Sequence, residues 1–340
     1  MEAPRMRVAM FSTKPYDRRS FEEAGTAGLD IHWLEPRLTD ETVPLAEGSP
    51  AVCLFVNDAA DANVIAALAK GGTRLIALRC AGFNNVDLAA AEAHGISVAR
   101  VPAYSPHAVA EFTVGLLLAL VRRIHKAYTR TRENNFALDG LLGFDLHGRT
   151  VGVIGTGRIG ALVARILHAG FGCRVLAYDV HRDAALEAIG VGYASVDEIV
   201  AEAEIITLHC PLTPETHHLL NPSSVARLRP GTIVVNTSRG ALIDTDAAIE
   251  ALKTGQLGGL AIDVYEQEAD LFFEDLSAEI IQDDALQRLM MFPNVLVTGH
   301  QAFFTREALG AIASTTLANI RDFGAGRPLA NAVRAAAVKG

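Results

Sequence analysis

The sequence predicts an α/β protein with two parallel sheets, the second inserted into the chain of the first. Strand-like apolar runs alternate with helix-like runs along the 340 residues. The most specific turn, Gly155-Thr156-Gly157-Arg158-Ile159-Gly160, lies in the middle of the chain. The last segment, from about Ala308, reads as helix (Ala308, Ile312, Thr316, Leu317, Ile320) and contributes no new sheet. Returned to the first array, that helix makes the first domain discontinuous. Two chain crossings are then expected to form a hinge beside a cleft.

Before residue 105 the strand candidates are Val8–Phe11, Ile31–Leu34, Ala51–Val56, Leu75–Leu78 and Ser97–Val101. Helical stretches such as Ala62–Lys70 and Leu88–Ala93 lie between them. A long helix is expected from Ser105-Pro106, because serine caps helices well and proline suits the first helical position. Its stripe is Val109, Phe112, Leu116, Leu120 and Ile124. Strand candidates then fall near 150–154, 174–178, 204–209, 232–236, 260–263 and 295–298, enough for a complete dinucleotide-binding sheet.

Half of the residues are apolar and 20% are charged, which suits packed domains rather than disorder. A formal net charge of −9 argues against nucleic acid or an anionic membrane as partner. Cys53, Cys80, Cys173 and Cys210 form no CxxC pair, as expected in a reducing cytosol. The start of the chain has no signal-peptide pattern, and the most apolar segment, 112–121, is too short to span a bilayer. A soluble, cytoplasmic protein is expected.

The glycine loop follows the apolar run Val151-Gly152-Val153-Ile154 and opens an apolar-periodic segment. In that context Gly155 permits the sharp turn, Gly157 lets a pyrophosphate approach the backbone, and Gly160 lets helix pack on strand. The helix start offers N–H groups to the phosphates. Asp179 closes the next strand candidate, where a carboxylate accepts from ribose hydroxyls and repels a 2′-phosphate. NAD is therefore expected in preference to NADP.

Ligands of open α/β sheets bind at the carboxyl ends of the strands. In the second array those ends carry Asp179, His209-Cys210-Pro211, Thr237-Ser238-Arg239-Gly240, Asp263 and Gly299-His300. Arg239 offers a planar fork for a carboxylate, and His300 is the natural proton donor to a keto oxygen. A carboxylate beside His300 favours its imidazolium. Glu268 and Glu266 both qualify by spacing, and an acidic neighbourhood (Asp270, Glu274, Asp275) equally fits a solvated face. The bland alternatives are a surface ion pair for Arg239 and a packing role for His300. His217-His218 suggests a metal, but adjacent histidines on a turn are usually solvated. Cys210 reads as a small residue near the cofactor rather than a nucleophile.

Further blocks identify the pattern: FSTKPYD (11–17), FVND (55–58), IALRCAGFNNVDL (76–88), VPAYSPHAVAEF (101–112), VIGTGRIG (153–160), LHCPLTPET (208–216), NTSRGALID (236–244), DVYEQEADLFFEDLS (263–277) and TGHQAF (298–303). With these the chain resembles the D-isomer-specific 2-hydroxyacid dehydrogenase family over nearly its whole length. The segment 271–277 and the long stretch from Glu268 to His300 resemble its lactate-specific branch. The resemblance implies a Rossmann NAD-binding domain (105–301) inserted in a flavodoxin-like discontinuous substrate domain (1–104 and 302–340). It implies that Arg239 orients substrate, that His300 is the acid/base, and, by motif position, that Glu268 pairs with His300.

To the loop glycines Gly155, Gly157 and Gly160 it adds cofactor contacts at Arg158 and Ile159 by backbone, Asp179, Cys210, Pro211, Thr216, Thr237, Ser238, Arg239 and Asp263, the last at the nicotinamide carboxamide. Substrate contacts would come from backbone at Ala81 and Gly82, from Arg239, and from Tyr104 and Phe304, the aromatic pair Phe303-Phe304 lying near the substrate. The implied reaction is reduction of pyruvate to D-lactate by NADH, without a metal. The alternatives are a larger 2-keto acid such as phenylpyruvate, or an NAD-sensing regulator on the same scaffold. The helix from Ser105 resembles the family's dimer-forming element, so a homodimer or homotetramer is expected.

Overall fold

A computed structural model describes residues 5–335. The expected domain ranges also include 1–4 and 336–340, which lie outside the described residues. Five strands come first: β1 (Met6–Met10), β2 (Leu29–Trp33), β3 (Ala51–Leu54), β4 (Leu75–Leu78) and β5 (Ser97–Ala99). Then come β6 (Thr150–Ile154), β7 (Arg174–Tyr178), β8 (Gly192–Tyr193), β9 (Ile205–Leu208), β10 (Thr232–Asn236), β11 (Leu257–Ile262) and β12 (Val295–Val297). A last strand, β13 (Ala332–Val333), follows the helix Arg306–Gly324. The chain divides into two compact units, Met1–Ser105 with Phe304–Gly340, and Pro106–Phe303.

The first unit's sheet runs β13-β5-β4-β3-β1-β2. Its five parallel strands have the 2-1-3-4-5 order of flavodoxin-like sheets. β3 (AVCL) and β4 (LIAL) are buried at every position, which is why they are continuously apolar instead of alternating. Successive residues of β1 serve opposite faces. Val8 and Met10 pack with Phe21, Leu317 and Ile320, while Ala9 packs with Ile65 and Leu68. The returning helix thus covers one face of the sheet that the chain built first.

The second unit's sheet runs β12-β11-β10-β9-β6-β7-β8, all parallel. From β8 to β11 this is the 3-2-1-4-5-6 order of a Rossmann sheet, which β12 extends. Two apolar clusters fill its faces, one around Ile206, Val234 and Leu260, the other around Val151, Val163 and Val175.

Three expectations need correction. The second sheet has seven strands rather than six, because β8 is only two residues long and carries no periodicity to detect. The first sheet is parallel except at one edge, where β13 pairs antiparallel with β5 (Ala332 opposite Ala99), while the final segment forms no sheet of its own. The helix from Pro106 stops at Val121, and Arg123 takes a left-handed φ of +53° before a second helix, Ile124–Arg132. Chain returning at Gly143 passes so near the Val121 carbonyl that a Cβ would overlap it. Ile124 therefore leaves the apolar stripe and is 55% exposed.

Candidate active site

β6 runs into Gly155, whose φ of +94° favours glycine and whose missing Cβ leaves room for the Cys210 backbone. A Cβ on Gly160 would overlap the Gly155 carbonyl oxygen, so helix Arg158–Arg165 closes tightly on its strand. Gly157 is different: a Cβ there would meet nothing within 4 Å. Protein packing does not require that glycine, whereas a close-lying phosphate does. Gly157 also caps the helix without a side-chain hydrogen bond, so the N–H groups at Arg158 and Ile159 face an anion site. These residues fit a dinucleotide.

Asp179 is set beside this loop by two backbone donors, Thr156 N–H (2.6 Å) and His181 N–H (3.0 Å). The Tyr193 hydroxyl, from the undetected β8, bonds Thr156 Oγ1 at 2.8 Å and accepts from Asp183 N–H at 2.8 Å. Across the loop, burial pushes the Cys210 thiol up to about 11, which keeps it protonated and unsuited to be a nucleophile. Ser238 Oγ donates to the Cys210 carbonyl (2.7 Å), Thr216 Oγ1 donates to the Pro211 carbonyl (2.7 Å), and Thr237 Oγ1 bonds Thr113 Oγ1 (2.8 Å). His209 has a buried Nε2 with no partner, and burial lowers its titration to about 4. Sequence reasoning placed His209 on the rim without giving it a role.

At the far rim, His300 Nδ1 lies 2.8 Å from Glu268 Oε1, and Tyr265 N–H donates to Glu268 Oε2 at 2.8 Å. A carboxylate only accepts, so Nδ1 carries the hydrogen and Nε2 is the nitrogen that Glu268 does not engage. His300 holds a left-handed φ of +52°. The fully buried Asp263 maintains that turn. It accepts from Thr298 Oγ1 (2.6 Å), Gln301 N–H (2.9 Å) and Ala302 N–H (2.8 Å). Burial raises the Asp263 carboxyl, and those donors act against the rise. This clamp on the histidine loop was not foreseen, since a strand-end aspartate gives no sign in sequence of which loop it will hold.

Glu266 goes elsewhere. Its Oε1 lies 2.6 Å from His218 Nε2, and its Oε2 accepts from Thr245 Oγ1 at 3.2 Å. Neither glutamate is merely part of a solvated acidic face, and His218 is not a freely solvated histidine.

Arg239 follows β10 and makes no ion pair among the described residues, against the surface-ion-pair alternative. Its Nη1 donates to the Ser238 carbonyl at 2.7 Å, and Asn236 Nδ2 holds its carbonyl at 2.8 Å. Gly240 packs against the Tyr265–Glu266 peptide so tightly that a Cβ would overlap it.

In the first unit, the carbonyls of Ala81 and Gly82 accept from Arg100 (2.8 Å) and Cys80 Sγ (3.3 Å). Their own N–H groups donate to nothing among the described residues, which suits an anion. Below them, the buried Arg79 bonds Asp17 (3.3 Å) and the Ser12 carbonyl (2.8 Å). Phe304 is 48% exposed and stands edge-on to Tyr16, with ring centroids 4.8 Å apart, whereas Phe303 is buried. Tyr104 follows β5 in the same unit.

Among the described residues no helix is long and apolar enough to cross a membrane. The sequence pattern of the D-isomer specific 2-hydroxyacid dehydrogenase NAD-binding domain matches residues 114–302. The D-lactate dehydrogenase of Escherichia coli K12 is 51% identical over 327 residues, covering 96% of this chain and 99% of that one. A solved structure described as the pyruvate reductase of Chlamydomonas reinhardtii superposes with a TM-score of 0.90 at 46% identity, covering 96% and 98% of the two chains. A D-lactate dehydrogenase from Aquifex aeolicus, solved with NAD and lactic acid, superposes with a TM-score of 0.84 at 32% identity, covering 94% and 96%. The chain is an NAD-dependent oxidoreductase acting on a small hydroxy or keto acid, and it belongs to the D-isomer-specific 2-hydroxyacid dehydrogenase family.

Proposed function

We propose that this enzyme reduces pyruvate to D-lactate with NADH, and that His300 is its general acid. The observation that carries the reading is the His300–Glu268 pair, bonded through Nδ1 on a loop fixed by Asp263. NADH, when bound, supplies the hydride. Gly155, Gly157, Arg158, Ile159 and Gly160 hold its pyrophosphate, and Asp179 its ribose. Cys210, Pro211, Thr216, Thr237 and Ser238 shape the nicotinamide side, and Asp263 adds the carboxamide contact to its clamp on the histidine loop. Arg239 grips the substrate carboxylate in two places. In the first unit, Ala81 and Gly82 by backbone and Tyr104 and Phe304 by side chain are the residues proposed to contact substrate. His300 Nε2 delivers a proton to the keto oxygen as the alcohol forms, and Glu268 stabilises the charged ring beforehand.

The test is steady-state NADH oxidation across a short panel of 2-keto acids, with chiral analysis of the product from pyruvate. The expected result is the highest kcat/KM for pyruvate and D-lactate as product. A preference for phenylpyruvate, or L-lactate as product, would overturn the assignment.

We also propose a homodimer or homotetramer in the cytoplasm. Ile124, Tyr128, Phe136, Leu138 and Leu142 are 55–92% exposed in one stretch after the helix Pro106–Val121, more apolar surface than water-facing chain usually carries. Free, buried cysteines support a reducing compartment.

A further inference from the structure

His217 and His218 lie in the loop after β9, on the sheet rim but outside the His300 cluster. Side chains of neighbouring residues normally diverge. Here His218 takes a left-handed φ of +49°, and the two imidazoles stack with centroids 3.9 Å apart and planes 25° from parallel. A β-carbon is strained in that backbone region, so the turn needs a compensating interaction. Facing it is Glu266, whose Oε1 is 2.6 Å from His218 Nε2. One ligand atom from each of His217, His218 and Glu266 lies within 4.8 Å of the other two.

We propose that His217, His218 and Glu266 form a three-ligand site for a borderline divalent cation of the zinc class. Two imidazole nitrogens and one carboxylate oxygen are the donor set such ions take, with remaining positions left to water. Magnesium and calcium prefer all-oxygen shells and are disfavoured. Bonds of about 2.0–2.2 Å place tetrahedral ligand atoms a little over 3 Å apart. The His218–Glu266 contact therefore opens by a fraction of an ångström while His217 swings inward, which an exposed side chain does readily. Outer-shell support is present as well. Asp244 Oδ2 is 4.0 Å from His218 Nδ1, and Thr245 Oγ1 donates to the second Glu266 oxygen. The exposure of His217 gives the ion its entry path.

The site is separate from the proposed catalytic chemistry, so its test needs no turnover. The full-length protein, stripped of metal by chelator dialysis, is titrated with ZnCl2 against a chromogenic zinc indicator. One saturable equivalent is expected, undisturbed by excess MgCl2. His217→Ala and Glu266→Gln should each weaken it by more than about tenfold, while His181→Ala, an exposed histidine elsewhere, should leave it intact. CoCl2 in place of zinc should produce visible bands of low-symmetry coordination that disappear in His217→Ala. The exposed position of His217 makes that variant safe for folding. Absence of a saturable equivalent, or uptake that His217→Ala leaves unchanged, would overturn the proposal.

Discussion

His300 and His218 are nearly the same local object on one sheet rim. Both occupy left-handed backbone, with φ of +52° and +49°. Both bond a glutamate from the short stretch after β11, at 2.8 and 2.6 Å. They differ in which nitrogen is taken and in what holds the turn. Glu268 takes Nδ1 of His300, and Asp263 locks the loop through a hydroxyl and two N–H groups. Glu266 takes Nε2 of His218, and the neighbour there is a second imidazole. A histidine–carboxylate pair is therefore not in itself a sign of acid catalysis. On the two roles proposed above, the nitrogen that each glutamate leaves open and the rigidity of each loop are what separate the two histidines.

The contrast is broken most severely by removing each ring in turn. His300→Gln is expected to lower kcat by about 10²–10⁴-fold, the span of general acid catalysis. His218→Gln should lose at least about tenfold less. Stopped-flow hydride transfer with pyruvate and NADH would measure both, and equal losses would remove the functional difference between the two histidines. The glutamates sharpen the same point. A hydrogen bond to a charged group contributes about 1.5–3 kcal/mol, so Glu268→Gln should reduce kcat/KM by roughly 10- to 100-fold. Glu266→Gln should reduce it less, and the reverse ranking would assign the partner of His300 wrongly.

That ranking marks where the sequence stopped being informative. Alternating apolar runs and the glycine loop were legible because they follow from repeated backbone geometry. The strands β6, β7, β9, β10, β11 and β12 and the returning helix could be read from order alone. β8 could not, because two residues carry no period, nor could the break at Arg123, which depends on Gly143 arriving from elsewhere in the chain. Spacing could not separate Glu266 from Glu268, since both lie on one irregular segment whose path is set by its contact with Gly240. The role of Asp263 as a clamp was invisible for a similar reason, as its partners are backbone groups of residues far along the chain.

A third rim histidine gives the mildest test of the comparison. His209 has neither a carboxylate nor an imidazole beside it, and its Nε2 is buried without a partner. Burial lowers its titration from 6.5 to about 4, so the folded chain refuses a proton that the unfolded chain accepts between those values. More protons bind to the unfolded state in that window, so stability must rise with pH there and fall as the solution is acidified. Between pH 7 and 5.5 this group should cost about 1 kcal/mol of unfolding free energy. Urea titrations at the two pH values would measure the slope in the native protein and in His209→Asn, where it should flatten by that amount. An unaltered slope would mean that the His209 ring already has a partner in solution, and that the rim offers its third histidine more than burial.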